Sequence, residues 1–114
     1  MTHYMNLQER PYHMIESGKK IFELRLLDEK RKMIGIGDTI IFKNAEDDNA
    51  TLRCVVRNLH VFASFEELYR ALPLDQCGYL LKEVSHASAK DMEQYYTVQE
   101  QAQYGVIGIE IALI

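Results

Sequence analysis

The chain has 114 residues, 47% hydrophobic and 26% charged, with 13 Lys and Arg against 17 Asp and Glu for a net charge of −4. That length fits one domain, 1–114, burying roughly two-thirds of its unfolded surface, so a core forms without disulfide or metal staples. The negative balance argues against a protein that coats nucleic acid by neutralising phosphates.

Cys54 and Cys77 stand in no CxxC or Cys/His spacing, so neither a disulfide framework nor a metal site is expected. No apolar run approaches the ~20 residues of a membrane span. The polar, charged stretch Met1–Arg10 does not read as a signal peptide, and a cytosolic protein is the expectation.

His3–Leu7 alternates and reads as an opening strand. Pro11 suits a first helical turn and Gly18 a left-handed stop, which predicts a helix over Glu9–Ser17. Lys20–Leu27 reads as a strand with Phe22, Leu24 and Leu26 on one face and Ile21, Glu23, Arg25 and Leu27 on the other. A basic linker, Asp28–Lys32, precedes the Gly37-Asp38 turn and a β-branched strand at Thr39–Phe42. Asn44–Asn49 reads as an exposed acidic hairpin loop and Thr51–His60 as the returning strand.

Ser64–Glu67 is a capping box opening a helix striped by Phe65, Leu68 and Leu72 and ended by Pro73. Ser88–Asp91 and Thr97–Glu100 offer two more helix starts, and Gly105 stops the last. Val106–Ile114 is almost wholly apolar, as expected of a central strand buried on both faces. The order predicts an α+β domain on a curved, mostly antiparallel sheet or small barrel flanked by helices.

Chemistry is concentrated around Gly18–Arg25. Between Lys19 and Lys32 six basic residues face three acidic ones, a local excess of +3 that leaves −7 for the rest. Glu23 and Arg25 project from one strand face, ~7 Å apart along it. Charges there are costly unless paired or open to a water-filled cleft. Two readings follow: an ion pair that satisfies itself, or a cleft where Lys20 and Arg25 present donors to an anion while Glu23 orients them.

Gly18, Lys20, Glu23 and Arg25 match the Gly-x-Lys-x-x-Glu-x-Arg signature of ASCH (activating-signal-cointegrator homology) domains, within the PUA-like superfamily. Gly37-Asp38-Thr39-Ile40-Ile41-Phe42, Tyr95-Tyr96 and Tyr104–Ile109 resemble further segments of that family, in the same order. The resemblance implies a small β-barrel with a cleft beside the signature strand, and binding of RNA or a nucleotide-like ligand. Lys20, Glu23 and Arg25 would then line the site, Arg31 and Lys32 would extend a basic rim, and Tyr96 would stack on a base.

Some ASCH-like proteins are amidohydrolases acting on acetylcytidine, which use a Lys-x-x-Thr pair and a downstream carboxylate. The resemblance makes Lys20 central to that alternative, with Glu23 in the threonine position and Glu66, Glu67 or Glu83 as the carboxylate. An adjacent Glu23 favours a charged lysine and opposes nucleophilic use of it.

Of seven tyrosines, most are expected as half-buried core residues. His3, His13, His60 and His86 show no ligand spacing or recognisable carboxylate partner, and Gly35-Ile36-Gly37 lacks the continuation of a phosphate loop. No cofactor, metal or membrane is implied.

Overall fold

In the computed structural model, which describes residues 1–114, strict alternation makes Thr2–Leu7 the first strand, β1. His3, Met5 and Leu7 point inward, and Thr2, Tyr4 and Asn6 outward. Helix α1 (Glu9–Glu16) takes Pro11 in its first turn, where no intrahelical N–H is needed, and buries Tyr12, Met14 and Ile15. Gly18 then turns the chain at positive φ. Strand β2 is Phe22–Leu26, shorter than the alternation suggests. Lys20 precedes it, with its N–H bonded to the Met14 carbonyl at 3.0 Å.

Strands β3 (Thr39–Asn44) and β4 (Asp47–Phe62) form an antiparallel hairpin. The acidic loop expected over Asn44–Asn49 shrinks to Ala45 and Glu46. The buried Asn44 side chain accepts the Glu46 N–H at 2.9 Å, and the ladder resumes with Asn44 opposite Asp47.

An insertion follows, with α2 (Phe65–Ala71) and α3 (Val98–Tyr104) at its ends. Ser64 accepts the Glu67 N–H, and Thr97 and Glu100 satisfy each other's backbone donors. The start expected at Ser88–Asp91 also forms its capping box, but Ala89–Gln94 is a 3₁₀ turn and not an α-helix. Only Met92 in that stretch is buried, so no apolar stripe extends it.

Strand β5 (Val106–Leu113) closes the chain between β4 and β2, in the sheet order β1-β3-β4-β5-β2. Three of the pairings are antiparallel; β1 and β3 are parallel. The fold is therefore α+β, a mixed five-stranded sheet curled into a half-barrel with helices against it. β5 is buried on both faces, as its composition predicts. Ile107, Ile109 and Ile111 join Ile40, Phe42 and Cys54 in one core. Val106 joins Phe22, Leu24, Phe65 and Leu68 in a second core under the insertion. Gly108 fits between them because a Cβ there would lie 2.7 Å from Leu72 Cδ1.

A polar knot pins β1 to the turn before β3. Asp38 accepts from His3 Nε2 at 2.8 Å and from the Gly35 N–H at 2.9 Å. The His3 bond first, then the Gly35 amide, lower the Asp38 pKa from 3.8 to about 2. A carboxyl depressed by folding stabilises above its unfolded value, and that stabilisation disappears as pH falls through the folded one. Asp38→Asn is therefore expected to be less stable than the parent at pH 6, with the gap narrowing between pH 4 and pH 2. Urea unfolding across that range measures it, and a constant gap would contradict the assignment.

Candidate functional site

A half-barrel has two edges, here β1 and β2, and the seam between them carries no backbone ladder. It is crossed instead by a side chain. Arg25 on β2 donates from Nη2 to the Asn6 carbonyl of β1 at 2.8 Å, and from Nε to Glu23 Oε2 at 2.7 Å. Glu23 stands opposite Ile109 and Arg25 opposite Ile107, so both project from the barrel's inner face. Lys20 comes in from before the strand and places Nζ 2.8 Å from Glu23 Oε1.

One carboxylate thus holds two cations at the seam. The side chains of Lys20, Glu23 and Arg25 are 9%, 4% and 15% exposed, so the trio is mostly but not wholly sealed. Burial opposes the Glu23 charge, but Lys20 and then Arg25 outweigh it and hold the carboxyl below its ordinary pKa. Burial likewise opposes the Arg25 charge, but Glu23 and then Tyr96 outweigh it and raise its pKa.

Above the trio opens a cleft of about 600 Å³. Its floor is Lys20, Glu23 and Arg25, and one side is formed by Asn6–Gln8 and the start of α1. The insertion supplies the other side. The Ile21 N–H bonds the Gln76 carbonyl at 2.9 Å, which lays Cys77 and Gly78 across Lys20. Gly78 has φ +117°, and a Cβ there would lie 3.5 Å from Lys20 Nζ. Burial pushes the Cys77 thiol up to about 12, so the cleft holds no thiolate nucleophile.

Four tyrosines, Tyr69, Tyr79, Tyr95 and Tyr96, line this side. Tyr96 stacks on Phe65 at a ring separation of 6.1 Å, and Tyr95 is 53% exposed. The Tyr69 and Tyr79 hydroxyls lie 2.7 Å apart, and Tyr79 donates to Asp91 Oδ2 at 2.7 Å. Of the charged lining residues, Arg10, Lys20 and Arg25 oppose Glu23, Glu83 and Asp91.

Lys20, Glu23, Arg25 and Tyr96, singled out from the sequence, thus meet in one cleft. Arg31 and Lys32 lie outside its lining: Arg31 pairs with Asp28 at 2.8 Å and Lys32 with Glu29 at 3.3 Å. Of the three carboxylates considered for the hydrolase alternative, Glu83 alone lines the cleft, where the Leu80 N–H and Arg10 already engage it. Glu66 reaches Arg70 and Glu67 the Ala63 N–H.

The tyrosine chain to Asp91 carries no sequence signature, since its members are far apart in sequence. The histidines also differ from expectation: His3 pairs with Asp38, His13 with Glu16 and His60 with Glu110. No three His, Cys, Asp or Glu side chains are grouped to hold a metal ion, and no helix is long and apolar enough to cross a membrane.

A family model described as the ASCH domain matches residues 5–114. No curated protein matches the chain. Among solved structures, hypothetical protein PH0355 is similar over 100% of both chains, at 34% identity and a TM-score of 0.86. Protein PF0455 from Pyrococcus furiosus aligns over 100% of this chain and 98% of its own, at 31% identity and a TM-score of 0.76. A tyrosine-to-phenylalanine mutant of ZmASCH from Zymomonas mobilis shares the fold at 10% identity, over 96% of this chain and 67% of its own, with a TM-score of 0.66.

Proposed function

We propose, since this chain belongs to the ASCH domain family, that its seam cleft binds a short single-stranded RNA segment or a nucleotide-like ligand. One observation carries the reading: two cations with unspent donors share an open cleft with four tyrosines. Lys20 commits one of its three N–H groups to Glu23. Arg25 commits Nε–H and one Nη2–H to Glu23 and Asn6. The remaining donors suit a phosphate or carbonyl oxygen. The exposed Tyr95 and half-buried Tyr96 offer ring faces to a base, a contact worth about 1–3 kcal/mol.

Charge sets the scale of the ligand. The three cationic and three anionic lining residues cancel, so the cleft does not attract a long polyanion. Arg31 and Lys32 are spent on Asp28 and Glu29. A ligand of one or two nucleotides follows, recognised by fit more than by charge.

The test is fluorescence anisotropy with short single-stranded RNAs and nucleoside monophosphates over a salt series. For the single-stranded RNAs, two phosphate-facing cations predict a log–log salt slope of about −1.4. No binding at low salt, or a much steeper slope, would remove the reading. Deacetylation of acetylcytidine that disappears in Lys20→Ala would replace it with the hydrolase. A lysine ammonium held at 2.8 Å by Glu23 has no free lone pair for that attack, which favours binding.

A further inference from the structure

Resting on the cleft being a nucleotide site, we infer that Tyr69, Tyr79 and Asp91 form a hydrogen-bond acceptor wall that selects ligands presenting an amino group over their carbonyl counterparts. The argument is one of proton counting. A carboxylate only accepts, so at the 2.7 Å contact with Asp91 Oδ2 the proton belongs to Tyr79. Tyr79 has no second proton, so at its 2.7 Å contact with Tyr69 the donor is Tyr69. Both hydroxyl protons are thereby committed in one direction, from Tyr69 to Tyr79 to Asp91. What the chain leaves facing the cleft is lone pairs.

Asp91 sharpens this. Its Oδ2 also takes the Ser88 N–H at 3.2 Å, while Oδ1 has no hydrogen-bond partner and no cation pairs with the carboxylate. Burial raises Tyr69 to about 12 and, together with Tyr69 and Asp91, raises Tyr79 further, so neither phenol loses its proton near neutrality. The floor is the reverse: Lys20 and Arg25 can only donate. The cleft therefore has opposite polarity on two sides. It fits a ligand with an oxygen acceptor toward Lys20 and Arg25 and an N–H donor toward Tyr69 and Asp91. A carbonyl placed against the acceptor wall would meet lone pairs and lose the hydrogen bonds it had in water.

Matched pairs test this directly. Adenosine and inosine monophosphates, and cytidine and uridine monophosphates, exchange an amino group for a carbonyl and turn the adjacent ring nitrogen from an acceptor into an N–H donor. The deamino analogues of adenosine and cytidine monophosphate, which keep that nitrogen an acceptor, therefore serve as controls that isolate the amino group. The native protein is expected to prefer the amino member by about tenfold in each pair, the worth of one hydrogen bond to a charged acceptor. Asp91→Asn keeps an oxygen for Tyr79 and turns the free acceptor into an amide donor, so the preference should vanish or reverse. Tyr69→Phe removes one acceptor of the wall while leaving the Tyr79–Asp91 bond in place, and should reduce the preference in the same direction. Equal affinity within both pairs, or a preference that survives Asp91→Asn, would overturn the wall while leaving the nucleotide site intact. Failure of all four nucleotides to bind would overturn the site itself.

Discussion

Glu23→Gln is expected to destabilise the protein by about 3–5 kcal/mol, because it leaves two largely buried cations facing each other with no counter-charge. The size follows from position. Glu23 sits between Lys20 at 2.8 Å and Arg25 at 2.7 Å with its own side chain 4% exposed. A surface ion pair would cost no more than about 1 kcal/mol. Urea denaturation at pH 7 with an unchanged m value measures the loss, and a change within the surface range would show that water reaches the trio freely.

The same carboxyl gives a pH signature. Its folded pKa lies below the ordinary 4.5, so its stabilisation is complete above that value and is lost as pH falls through the folded one. The native protein should lose stability in acid faster than Glu23→Gln does.

Arg25→Ala is expected to lower affinity for a nucleoside monophosphate by about 30-fold or more, in the range for truncating a hydrogen-bonded buried charge. It removes a donor to the ligand and also the one side chain that ties β2 to β1 across the seam, through Asn6. Those two effects separate. A purely structural Arg25 would lower the melting temperature while the folded fraction still bound with native affinity. Arg25→Lys keeps the charge but not the fork that spans Glu23 and Asn6 together, so it should recover only part of the affinity. Native affinity in Arg25→Ala would remove the arginine from the site.

Much of the fold was legible because the local signals agreed with one another. The alternation in β1, the glycine stops at Gly18 and Gly105, and the apolar run of β5 each matched the element found. The trio was legible because Lys20, Glu23 and Arg25 lie within one short segment, where charge on a strand face is conspicuous. Sequence could not decide between pairing and an open cleft, and the structure contains both: Glu23 pairs with both cations but offsets only one of the two charges, and the cleft opens above them.

What escaped was long-range. The Tyr69–Tyr79–Asp91 chain joins α2 to two later turns, and no periodicity links residues placed by tertiary packing. The fates of Arg31 and Lys32 escaped for another reason: a count of basic residues does not show that Asp28 and Glu29, three residues before each, take up their charge. The short Asn44–Asp47 turn depended on one buried amide that composition alone reads as loop.

The most direct test of the seam cleft is a crystal soaked with a nucleoside monophosphate. Density should fill the space between the trio and the tyrosines, with a ligand oxygen in hydrogen-bond reach of Lys20 Nζ or the Arg25 guanidinium and the base beside Tyr95 and Tyr96. A nucleotide ordered elsewhere on the protein, with that cleft holding only water, would contradict it.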